Sequence, residues 1–109
     1  MSEQSFVTVA RVGDLKPGQM TYVEVGDDPV CLINLDGDFY AISDICTHEE
    51  ASLSDGTIIG DEIECPLHGG AFDIRTGQPI AFPVVVPLAT YRVRVVGDEV
   101  QVAAIDAAG

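Results

Sequence analysis

Cys46-Thr47-His48 and, after sixteen intervening residues, Cys65-Pro66-Leu67-His68 form two short arms, each offering one thiol and one imidazole. The chain has two histidines and three cysteines, so the arms hold both imidazoles and two of the three thiols. Ligands of this kind, scarce elsewhere and falling in matched pairs, point to a metal site. A zinc finger groups its cysteines in one hairpin and its histidines on a following helix. Here each arm mixes the two, and no amphipathic helix is in view. Mixed arms suit a binuclear cluster in which one iron takes two thiolates and the other two imidazoles, because two loops approaching from opposite sides can each serve both irons. A mononuclear zinc or iron site is the alternative.

Outward from the arms, short apolar or alternating runs are punctuated by Gly, Asp and Pro, with eleven glycines and six prolines in all. This pattern predicts an all-β fold. Residues 6–10 and Met20–Val25 read as strands on either side of the turn-like 14–18. The almost unbroken apolar run 30–35 predicts a strand buried on both faces. Asp36-Gly37 marks a hairpin, with Asp38–Ser43 as the returning strand. Between the arms, Ser54-Asp55-Gly56 closes a loop, and Thr57–Ile59 pairs with Glu62–Glu64 around Gly60-Asp61 to deliver the second arm. Residues 71–74 and 78–81 flank the turn Arg75-Thr76-Gly77. Two prolines in Phe82-Pro83-Val84-Val85-Val86-Pro87 speak for a covering loop and against a ladder strand. Tyr91, Val93 and Val95 alternate with Arg92 and Arg94, predicting one strand with a core face and a wet face. After Gly97-Asp98, Glu99–Ala103 pairs back with Val100 and Val102 inward, and residues 104–109 form a frayed tail.

At 109 residues, 47% of them apolar, the chain is expected to be one domain, 1–109, with its cluster-binding portion at about 44–83. Eighteen acidic residues against five basic ones give a formal charge of -13, which repels nucleic acid and anionic membrane. The acidity serves either solubility or steering toward a basic partner. No basic patch followed by an apolar run opens the chain, and no apolar stretch approaches the roughly 18 residues of a membrane span. A soluble cytoplasmic protein is expected, in whose reducing surroundings the arm cysteines are ligands and not disulfide partners. Cys31, inside an apolar run, is expected to be a buried, inert thiol.

Cys46-Thr47-His48-x-x-x-x-Leu53-x-x-Gly56 followed by Cys65-Pro66-Leu67-His68-Gly69-Gly70-x-Phe72-Asp73 resembles the Rieske iron-sulfur signature, and the strand pattern resembles that family from about Val7 to Val102. The resemblance implies stacked antiparallel sheets with one [2Fe-2S] Rieske cluster at one tip. It implies that Cys46 and Cys65 hold one iron, that His48 and His68 hold the other, and that the loop around Pro83 covers the cluster. In the respiratory cytochrome bc branch of the family each arm carries an extra cysteine, and the two form a disulfide; those positions are Ala51 and Leu67 here. That branch also has a Ser and a Tyr whose hydroxyls donate to cluster and cysteine sulfur, where this chain has Gly70 and Phe72. Donors to sulfur stabilise the reduced cluster, so their loss implies a potential toward the lower end of the roughly -150 to +300 mV Rieske range. Phe72 reads equally well as ordinary core packing.

Oxygen chemistry at non-haem iron needs two histidines and a carboxylate around an open site, and both histidines are already committed to the cluster. The chain is therefore expected to be an electron carrier and not the oxygenase. The outward ring nitrogens of His48 and His68 would serve as the exit for the electron. Glu49 and Glu50, with Asp55 and Asp61, form either an acidic docking rim or merely solvated loop charges. Within the family the chain most resembles the ferredoxin component of bacterial aromatic ring-hydroxylating dioxygenases, such as those for biphenyl, toluene or carbazole. That resemblance implies a monomer receiving single electrons from an NAD(P)H-dependent flavin reductase and passing them to a terminal oxygenase. The alternatives are the small Rieske subunit of an assimilatory nitrite reductase and a redox-inert metal-binding module.

Overall fold

In the computed structural model, which describes residues 5–46, 51–66, 70–81 and 86–103, the apolar run of the sequence becomes the wall on which the rest is built. This strand, β3 (Asp28–Leu35), is flanked antiparallel by β2 (Met20–Val25) and β4 (Asp38–Ser43). Alternation along β3 sends Val30 and Leu32 into one apolar core and Cys31, Ile33 and Leu35 into another. The strand is thus buried on both faces, as its composition predicts. The β3–β4 hairpin turns through Asp36 and Gly37, both at positive φ (54° and 97°), the pairing a tight primed turn requires.

β3 starts two residues earlier than expected, at Asp28, and so includes a proline. Pro29 lies opposite Glu24 of β2, and its carbonyl points the other way to accept the Asp44 N–H at 3.0 Å. The N–H that proline lacks would point the same way, past the end of β4, so no β2–β3 ladder bond is lost.

One face of the β2–β3–β4 sheet is covered by a three-stranded sheet of β1 (Phe6–Arg11), β11 (Glu99–Ala103) and β10 (Val93–Val96), in the order β1-β11-β10. Val100 and Val102 are fully buried against Val25, Val30 and Leu32. The run 91–95, expected as one strand, is divided. β9 (Thr90–Tyr91) joins the first sheet beside β4, and the chain crosses at Arg92 to form β10 in the second sheet. Val95 does not reach the core. It shares a face with Val100 but sits on an edge strand and stays 49% exposed.

The other core is closed by a third sheet, β5 (Thr57–Ile59), β6 (Glu62–Glu64), β7 (Ala71–Asp73) and β8 (Pro79–Ala81), consecutive and antiparallel. The strands expected over 71–74 and 78–81 are each one residue shorter, although the Ile74 N–H still donates to the Asp61 carbonyl at 3.0 Å. Among the described residues the architecture is all-β with two 3-10 turns, Val12–Asp14 and Leu53–Asp55. Among the described residues no helix is long and apolar enough to cross a membrane. The expected tail, 104–109, lies outside the described residues.

Candidate metal centre

Both arms are built on the same backbone device. In the first, the Cys46 N–H donates to the Ala51 carbonyl at 3.0 Å, Ile45 bridges Ser52, and the Leu53 N–H donates to the Asp44 carbonyl at 2.7 Å. In the second, the Cys65 N–H donates to the Gly70 carbonyl at 2.7 Å, directly above the Glu64–Ala71 rung of the β6–β7 ladder. Each cysteine therefore closes the neck of a loop by bonding to the fifth residue after it. His48 and His68 belong by sequence to those two closed loops.

The necks are pressed together. A Cβ placed on Gly56, just past the 3-10 turn that ends the first arm, would lie 2.1 Å from the Glu64 carbonyl oxygen, one residue before Cys65. Only glycine permits that approach. Cys46 and Cys65 are both buried, and they meet in one core with Ala51, Leu53, Ile63 and Phe72. No disulfide joins Cys31, Cys46 or Cys65.

On the far side, the segment that follows the proline-rich stretch is anchored twice. Ser43 donates its N–H to the Ala89 carbonyl, and Leu88 donates its own to the Gly77 carbonyl. Gly77 has φ +77°, and a Cβ there would lie 2.5 Å from the Leu88 carbonyl oxygen. Residues 82–85, including Pro83 of the expected covering loop, lie outside the described residues, as do His48, Glu49, Glu50, Leu67, His68 and Gly69. Among the described residues no group of three or more His, Cys, Asp or Glu assembles around a common point.

The remaining sequence expectations divide. Phe72 is fully buried in the core, the packing role it was equally suited to. Cys31 is fully buried beside the Met20 sulfur at 3.7 Å, and burial, reinforced by the charge of Asp44, pushes its thiol up to about 12. Such a group stays protonated and inert at neutral pH. Of the acidic residues expected at a rim, Glu49 and Glu50 lie outside the described residues, while Asp61 sits at the turn of the β5–β6 hairpin and is paired with Arg75 at 2.8 Å. One residue escaped notice in the sequence altogether. Asp44 is a fully buried carboxylate whose Oδ1 accepts the Ser54 N–H at 2.8 Å. Its signal was an Asp directly after a strand with a Ser ten residues on, too loose a pattern to single out.

Two buried thiols, held apart from disulfide chemistry and delivered to one apolar pocket by two closed loops, fit the thiolate side of a Rieske cluster. The family model for the Rieske [2Fe-2S] domain matches residues 5–92.

The chain belongs to the Rieske family.

Its Rieske relatives include Ferredoxin CarAc of Metapseudomonas resinovorans, 46% identical over 101 residues, covering 92% of this chain and 94% of the relative. The ferredoxin component of biphenyl 2,3-dioxygenase from Rhodococcus jostii is 43% identical over 90 residues, covering 83% and 84%. In the solved complex of reduced oxygenase and oxidized ferredoxin of carbazole 1,9a-dioxygenase, the matching chain is 45% identical with a TM-score of 0.87, covering 93% of this Rieske chain and 94% of that one. The cofactor is a [2Fe-2S] Rieske cluster.

Proposed function

We propose that the protein is the electron-carrying ferredoxin of a bacterial aromatic ring-hydroxylating dioxygenase system. It takes single electrons from an NAD(P)H-dependent flavin reductase and passes them to the terminal oxygenase. The observation that carries this reading is the pair of loop-neck cysteines, Cys46 and Cys65, brought into one apolar core of an all-β body. Likeness to dioxygenase ferredoxins at 43% and 46% identity over most of both chains favours it over a nitrite reductase subunit or a redox-inert module.

Cys46 and Cys65 hold one iron, and His48 and His68 hold the other. When bound, the cluster supplies reversible one-electron chemistry. The chain's own part is to exclude water from the thiolate side, where both cysteines are buried, and to hold the loops without rearrangement. Ala51 and Gly70 are buried beside the necks and Phe72 is spent on packing. Gly70 and Phe72 supply no hydroxyl to sulfur, which supports a potential in the lower part of the roughly -150 to +300 mV Rieske range. The protein catalyses no reaction itself and works as a monomer, a single domain spanning 1–109, in the cytoplasm, where the nicotinamide reductant is drawn.

The test is reconstitution with a flavin reductase, NADH and an aromatic-ring oxygenase. Product formation should require this protein and stop with Cys46→Ala. Turnover that continues without the protein, or with the variant, contradicts the role.

A further inference from the structure

Asp44 is the point where the base of the molecule, the first arm and the turn against the second arm are tied together. Its N–H donates to the Pro29 carbonyl at 3.0 Å, its carbonyl accepts the Leu53 N–H at 2.7 Å, and its Oδ1 accepts the Ser54 N–H at 2.8 Å. The two backbone bonds would survive any side chain. The third would not, and it falls on the first N–H groups of the 3-10 turn Leu53–Asp55, where no ladder partner exists. That turn carries Gly56 against the Glu64 carbonyl oxygen, next to Cys65. A single side-chain bond therefore connects the residue two before Cys46 with the contact one before Cys65.

A fully buried carboxylate is costly to keep, more so when half of it is unused. Among the described residues, Asp44 Oδ2 has no hydrogen-bond partner. The bond at Oδ1 is what this residue supplies, and an amide oxygen could supply it too.

We propose that Asp44 is a positioning residue for the redox centre, fixing the separation of the two cysteine-bearing loops through its Oδ1 bond to Ser54. This rests on the assignment of Cys46 and Cys65 as cluster ligands. Asp44→Ala removes the acceptor of the half-buried Ser54 N–H, while Asp44→Asn keeps an oxygen in place.

The experiment compares the cluster-loaded wild type, Asp44→Ala and Asp44→Asn by iron content, by electron paramagnetic resonance of the reduced protein, and by far-ultraviolet circular dichroism. Asp44→Ala should retain β-sheet dichroism but hold its cluster about tenfold or more less tightly, with shifted and broadened g values. Asp44→Asn should restore the wild-type signal. A normal signal and iron content in Asp44→Ala overturn the proposal. So does an Asp44→Asn protein with a displaced signal, which remains decisive should the alanine variant not fold. A wild type with no two-histidine signal would instead overturn the ligand assignment beneath it.

Discussion

The two ends of the molecule are held together in different ways. At the base, β1 to β4 run six to eight residues each, and Val25, Val30, Leu32, Val100 and Val102 fill the core between two sheets. At the cluster end, β5 to β8 are three residues each. Order there comes from a core of Leu53, Ile63, Phe72 and Ile74 and, around it, from loop necks, one buried carboxylate and close backbone approaches at Gly56 and Gly77. Strands that short bring few ladder bonds, so although Leu53, Ile63 and Phe72 are fully buried against the first sheet, the stability of this end depends more than the base does on what it binds. The base is a self-sufficient platform and the tip a socket. β3 belongs to both, since alternate side chains of one strand serve the two cores.

The comparison breaks first at Leu32, fully buried in the base core. Leu32→Ala should cost about 2 to 5 kcal/mol, with or without cluster, measured by urea unfolding. A loss confined to the cluster-free form would mean that the base is not independent. Next comes Gly56→Ala, whose new Cβ would lie 2.1 Å from the Glu64 carbonyl oxygen. It should force the loops apart, costing about 1 to 3 kcal/mol and lowering cluster content while the base keeps its dichroism. Unchanged iron content would show that the necks can separate freely.

The smallest effect sharpens the role of Cys31, which shares a core with Cys46 and Cys65. Its folded-state pKa is pushed up to about 12 from an ordinary 9.0, chiefly by burial. Between those values the unfolded chain binds fewer protons than the folded one, so stability is intact below the lower value and falls as pH rises through the window. The loss should reach roughly 2 kcal/mol by about pH 10.5. Tyr22 and Tyr91 are shifted in the same direction. The comparison is therefore the slope against Cys31→Ala, which should be shallower. Equal slopes would show that Cys31 ionises as readily in the fold as outside it.

What could be read in advance follows the same division. The base was legible because its signals are periodic: Met20–Val25 and Asp38–Ser43 fall where the alternation and the Asp36-Gly37 turn put them. Arg92 shows the limit. Tyr91, Val93 and Val95 alternate without interruption, and nothing local tells a strand to change sheets, which is decided by packing against β4 and β11. At the tip, Cys46 and Cys65 were legible because scarce ligands in paired arms carry a chemical meaning independent of the fold. Asp44 was not, because its importance lies in a bond to a residue ten positions away. The pairing of Asp61 with Arg75 was hidden for the same reason.

The most direct measurement is electron paramagnetic resonance of the dithionite-reduced protein combined with a redox titration. Ligation by Cys46, Cys65, His48 and His68 predicts a Rieske-type signal that appears with one electron at a potential toward the low end of the family, and that vanishes in His48→Ala and His68→Ala. A signal of the all-cysteine type, or a Rieske signal untouched by removing either histidine, would contradict it.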